Sequence, residues 1–194
     1  MGSFGFYVQL GSEHITDFAG YDHMLFLVAL CAIYRFEQWK RILVLVTAFT
    51  IGHCVTLVLS SLDIWTIPSN IIEFLIPVTI FLTAINNVIG SDPSINKSRM
   101  RKNYFMVLFF GLIHGMGFSN YFKALLMDAS QVAMPLLGFN IGIELGQILV
   151  VFFIVGIAYI FLNKLNVKHR EWNIFISGAA AGMSLIFIFE NKIW

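Results

Sequence analysis

At 194 residues the chain is sized for one domain, and 58% of it is hydrophobic against 12% charged. With a mean hydropathy of +0.81, that balance excludes an ordinary soluble core and makes 1–194 a single transmembrane domain. A formal net charge of +1 leaves no global field to attract nucleic acid. Cys31 and Cys54 both lie in apolar segments, so they read as small buried hydrophobes rather than a disulfide framework. The opening MGSFGFYVQL has no basic region and no small-residue cleavage site, so no removable signal peptide is expected. Phe6 stands where myristoylation wants Ser or Thr.

The pattern predicts an all-α polytopic membrane helical bundle of about six transmembrane helices, or seven elements if the Lys123–Ser130 region forms one more. The first helix spans Gly11–Tyr34 and carries His14, Asp17, Asp22 and His23 in the segment HITDFAGYDH. Gly20 is a point where that helix can break and reorient the Asp22–His23 pair. The second, Lys40–Ser61, carries His53, with Gly52 beside it to admit another backbone. The third, Ile67–Ile89, opens near Pro68 and holds Glu73 toward its start. The fourth, Asn103–Phe122, holds His114 among Gly111, Gly115 and Gly117. The fifth, Gln131–Asn163, is long for one span, and Pro135 marks a kink or an interfacial first turn. On it Asn140, Glu144 and Gln147 make a polar stripe, while Gly138, Gly142 and Gly146 make a close-packing face, which points to a central place in the bundle. The sixth is Trp172–Phe189.

Basic residues gather on alternate connections: Arg35, Lys40 and Arg41; then Lys97, Arg99, Arg101 and Lys102; then Lys164, Lys168 and Arg170. Those loops are expected on the cytoplasmic side, with both termini outside. Trp65, Trp172 and Trp194 fall near the expected interfaces. With a rise of about 1.5 Å per residue, Asp22, His23, His53, His114 and Glu144 then share one layer, roughly 10–20 Å below the outer surface. Glu73 and His14 lie nearer that surface. An ionisable side chain at such depth costs roughly 2.5–3.5 kcal/mol on insertion scales, so it usually faces a bundle interior or a water-filled path.

Histidine and carboxylate are the donors of a divalent transition metal. Seven residues are candidates for such an ion: His14, Asp17, Asp22, His23, His53, His114 and Glu144. Glu73, Asn140 and Gln147 are candidates for its path or for supporting contacts. Each histidine taken alone reads equally as a hydrogen-bonded structural residue, and their shared depth is what favours a site. The eight methionines show no paired spacing, which argues against a thioether route for Cu(I).

The segments HITDFAGYDHMLFLVAL, FTIGHCVTLVLS, IIEFLIPVTIFLTAINNV, FGLIHGMGF and LGFNIGIELGQ together resemble the HupE/UreJ family of hydrogenase and urease accessory membrane proteins. They fall in family order on five of the six expected helices. The resemblance implies a six-helix permease for nickel, or cobalt, in a bacterial cytoplasmic membrane, with partners in metalloenzyme maturation. The family's N-terminal His and following Asp-His pair match His14, Asp22 and His23. The gap between them is longer here than is usual, and Asp17 lies inside it.

Three functions follow as expectations. The first is a membrane permease for Ni, Co or Zn. The second is an intramembrane zinc hydrolase with the same ligands and Asp22 or Glu144 as general base, although no HExxH is present. The third is bis-histidine haem ligation by His53 and His114.

Overall fold

The computed structural model describes residues 4–17, 20–62, 64–65, 67–90, 97–125 and 132–193. Within them helix is the only regular secondary structure. A bilayer has no water to pair with backbone N–H and C=O groups, so an apolar chain satisfies them within helices. The helices are α1 (Phe4–Thr16), α2 (Asp22–Cys31), α3 (Trp39–Ser61), α4 (Ser69–Ile89), α5 (Lys97–Leu125), α6 (Ala133–Tyr159) and α7 (His169–Glu190). A short 3₁₀ turn, Phe36–Gln38, leads into α3, and a π turn, Ile160–Lys164, extends α6. With those turns, α3 to α7 give five segments long and apolar enough to cross a membrane.

The first expected helix is corrected. It is two helices, and α1 begins earlier, at Phe4. The helix ends after Thr16 because Asp17 and Gly20 both disfavour a helix interior. Asp22 then opens α2 and accepts the His23 backbone N–H at 2.9 Å, which suits an acid at the positive end of a helix. Both pieces run the same way. Phe4 lies beside Gly138 and Ser12 beside Gly146, so α1 is parallel to α6. Asp22 shares a cleft with Pro77, and the Asn87 side chain donates to the Ala29 carbonyl at 2.7 Å, so α2 is parallel to α4. The seventh helix therefore comes from this break. Of the Lys123–Ser130 region, 123–125 close α5 and 126–130 lie outside the described residues.

Three close pairings organise the bundle: α3 with α5, α1 with α6, and α4 with α7. The first depends on missing side chains. A Cβ on Gly52 would strike the Leu108 carbonyl oxygen, and one on Gly111 would strike the Phe49 carbonyl oxygen. On α1 and α6, Gly11 meets Phe139 and Gly142 meets Val8 in the same way. The third pairing is tied by amides: Asn173 donates to the Asn87 carbonyl at 3.0 Å, and Ser177 donates to Asn173.

The expected central place of α6 is also corrected. Its glycine face packs on α1, but Leu137, Ile141, Leu145 and Phe152 are exposed, so α6 is peripheral with a lipid-facing side. Pro135 sits in its first turn, where the missing N–H costs nothing. Trp65 is exposed as a belt residue should be. Trp172 is buried instead, its ring packed 5.2 Å from Phe161 in the π turn, and Trp194 lies outside the described residues.

Filling the α3–α5 crossing should be costly and filling α7 should not. Gly52→Leu or Gly111→Leu should destabilise by at least about 1–3 kcal/mol. Gly178→Ala, where a Cβ meets nothing within 4 Å, should be neutral or stabilising by about 0.5–1 kcal/mol. Thermal unfolding in detergent checks both, and equal behaviour of the two classes would remove the crossing from the account.

Candidate metal centre

The break after α1 lets the end of one helix and the start of the next reach the same place. His14 comes from the last turn of α1, and Asp22 and His23 from the first turn of α2. The α3–α5 crossing supplies the rest: Gly115 lies against the His53 backbone, so His53 and His114 flank the contact. Ring centroids are 4.6 Å apart for His14 and His23, 5.9 Å for His14 and His53, 6.1 Å for His23 and His53, and 5.1 Å for His23 and His114. Four of the five histidines thus form one cluster from four helices. His23 packs against both His53 and His114, so those two rings do not flank a porphyrin-wide slot.

The cluster resolves into two overlapping groups. His14, His23 and His53 each offer a donor atom, all within 4.8 Å of one another, and so do Asp22, His23 and His114. His23 belongs to both. Among the described residues, five imidazole nitrogens here are buried without a hydrogen-bond partner: His14 Nε2, His23 Nε2, both nitrogens of His53, and His114 Nδ1. Buried polar atoms are normally paired, so five orphans in one place mark where a ligand belongs.

Neighbouring groups fix which nitrogen is free. The Thr79 hydroxyl donates its one hydrogen to the Ile76 carbonyl at 2.7 Å. It can then only accept from His114, so His114 Nε2–H donates to Thr79 at 3.0 Å and Nδ1 keeps its lone pair. Asp22 accepts from His23 Nδ1 at 3.1 Å, which leaves the lone pair on His23 Nε2. Imidazoles that bind metals are commonly held this way, the far nitrogen donating to a carboxylate or other oxygen. Aromatic rings close the cluster: Phe118 lies 4.1 Å from His14 by centroids and stacks on Phe139, while Phe49 lies 5.1 Å from His114.

Two clefts reach the ends of the cluster. One, of about 650 Å³, is lined by Glu13, His14, Asp17 and Tyr121. The other, of about 290 Å³, is lined by Asp22, Glu73, Pro77 and Glu190. Both open at the end of the bundle away from the basic start of α5, Lys97–Lys102, and the Lys164–Arg170 stretch that joins α6 to α7. Asp17 is exposed on the first cleft and Glu73 on the second, and neither belongs to either donor group.

Glu144 is not in either donor group. Its carboxylate accepts from Thr47 at 2.6 Å and lies 2.5 Å from the Thr50 hydroxyl. Gln147 is bound to Thr50 at 2.8 Å, and Asn140 donates to the Leu136 carbonyl of its own helix. The α6 stripe therefore faces α3 about a turn below His53. Sequence reasoning overlooked Thr79, whose available signal was a hydroxyl in an apolar helix at the depth of His114. It also overlooked Phe118 and Phe139, which carry no signal beyond hydrophobicity.

A family model described as HupE / UreJ protein matches residues 1–191, nearly the whole chain. No curated protein and no solved structure matches.

Thr79→Val removes the hydroxyl that accepts from His114 while keeping a similar shape. Losing such an orienting contact should weaken divalent-metal binding about 10–100-fold. Thr79→Ser should restore it. Titration of the purified protein with nickel checks this, and unchanged affinity in Thr79→Val would show that Thr79 does not orient the ligand.

Proposed function

The chain belongs to the HupE/UreJ family, whose members handle metal at membranes, and from that premise we propose that it is a permease for a divalent transition metal, nickel first, cobalt or zinc next. His14, Asp22, His23, His53 and His114 carry the ion. The observation that supports this most is the set of five orphaned imidazole nitrogens shared between two donor groups. Neutral imidazole is a borderline donor that suits nickel, cobalt and zinc.

The overlap favours transport over fixed catalysis. An ion held by His14, His23 and His53 can exchange two partners for Asp22 and His114 while His23 stays bound. A hydrolytic zinc needs one set of ligands and an open position, not two sets that hand over. The acid-lined clefts supply a way in: a cation approaching Glu13 and Asp17, or Glu73 and Glu190, meets negative charge before it meets the imidazoles. The basic loops mark the cytoplasmic side, so the clefts open outside and uptake runs inward. This reading places the chain in a bacterial cytoplasmic membrane with its N-terminus outside, where the delivered ion serves metalloenzyme maturation.

Elemental analysis of protein purified after growth with nickel tests the site. Wild type should hold metal. His23→Ala, which breaks both groups, should fall to background, and His53→Ala and His114→Ala, which break one each, should keep a fraction. Uptake into vesicles should also weaken in acid, because an imidazole must be neutral to bind and its protonation competes with the metal. Background metal in the wild type, or uptake that rises with acid, would sink the proposal.

A further inference from the structure

A groove of about 450 Å³ lies between α3 and α5 at the end of the bundle opposite the two clefts. The two helices run parallel, Gly111 meeting Phe49 and Gly115 meeting His53, so both begin at that end. The α5 wall is Lys97, Arg101, Tyr104 and Phe105, whose i, i+4, i+7 and i+8 spacing puts them on one helix face. The α3 wall is Arg41 and, one turn further in, Val44. The lining is therefore graded along the helix axes. Three cations stand at the mouth, and apolar and aromatic side chains follow one to two turns deeper, where Val44 and Phe105 stay exposed on the bundle surface. Among the described residues the lining holds no Asp or Glu, and neither Lys97 nor Arg101 is in an ion pair. A bias of Lys and Arg toward one side of a membrane accounts for the presence of these cations. It does not account for three of them meeting at the mouth of one apolar groove.

We propose that this groove holds an anionic phospholipid, with its phosphate among Arg41, Lys97 and Arg101 and an acyl chain along Val44, Tyr104 and Phe105. Arginine grips phosphate oxygens with a fork of N–H donors, and lysine adds a point charge. Basic pockets between membrane helices take acidic headgroups in this way. Cations at headgroup level with apolar walls just deeper match the two halves of one lipid. A free phosphate ion leaves the apolar wall empty. A zwitterionic headgroup brings a further cation among three, with no carboxylate in the lining to receive it. The bound lipid bridges α3 and α5, and so fastens the pair that carries His53 and His114 on the side of the crossing away from the clefts. The site needs only a bilayer and does not depend on the ion at the imidazoles.

The test uses the purified full chain, delipidated in a nonionic detergent and titrated with phosphatidylglycerol, with phosphatidylcholine of the same chain length, or with inorganic phosphate. Phosphatidylglycerol at about tenfold its Kd should raise Tm by about 3–5 °C, and the other two should not. Native mass spectrometry should show the same lipid retained. Lys97→Gln/Arg101→Gln should bind it about 30-fold more weakly, at about fivefold for each cation, and lose most of the shift. Both side chains are exposed, so the fold should persist. If the double variant folds poorly, the two single variants decide, each expected to weaken binding about fivefold. Lys164→Gln/Lys168→Gln makes the same change of charge in another basic stretch and should keep the shift. An equal shift with phosphatidylcholine or with inorganic phosphate overturns the proposal. So does a shift that survives Lys97→Gln/Arg101→Gln, one lost equally in Lys164→Gln/Lys168→Gln, or a wild type that phosphatidylglycerol leaves unmoved.

Discussion

His53 and His114 both reach His23 because α3 and α5 come close, which Gly52 and Gly111 allow by having no side chains. Within a bilayer, apolar burial gives helices little reason to associate, since lipid is as apolar as leucine. Close van der Waals packing at small residues supplies that reason. The crossing puts His53 and His114 on either flank of the contact. The break at Asp17–Tyr21 then brings His14 and His23 to the same level, and Phe49, Phe118 and Phe139 fill the remaining volume. The closeness of these imidazoles is a consequence of how tightly two apolar helices can pack.

Much of the cluster was legible in the sequence because depth in a membrane is a one-dimensional quantity. Apolar run lengths and basic loops set the level of Asp22, His23, His53 and His114, and those residues do meet. Rotation about a helix axis was less legible. Glu144 shares the level, but its side chain turns to Thr47 and Thr50. His14 precedes His23 by nine positions and was expected nearer the surface, yet the two rings pack together, because α1 ends at Thr16 and a separate helix, α2, begins at Asp22. The glycine face of α6 was read as a sign of a central helix, yet the same glycines need only one neighbour, α1. Small residues reveal that something packs closely but not how many sides are packed.

Sharing His23 between two donor groups has an energetic meaning. Any ligand that must be released at each step adds to the barrier for moving an ion. In the proposed permease, a ligand common to both positions would not be released, so an ion would shift with part of its coordination intact. Asp22 serves this arrangement twice, orienting His23 through Nδ1 and offering charge to the second group. Fixing the tautomers through Asp22 and Thr79 means the lone pairs are already aimed, and little reorganisation is needed on binding.

The α1–α6 pair meets the α3–α5 pair along one seam, and the imidazole cluster and the Glu144 hydrogen bonds both straddle it. His14 faces His53 across the seam, and Glu144 faces Thr50 across it. A rigid-body displacement of one pair against the other would change both sets of donor distances together. An ion that prefers one spacing would hold the seam at that spacing. Seen this way, the seam is the mechanical variable of the molecule, with α6 lipid-facing on one side and packed on a thirteen-residue helix on the other.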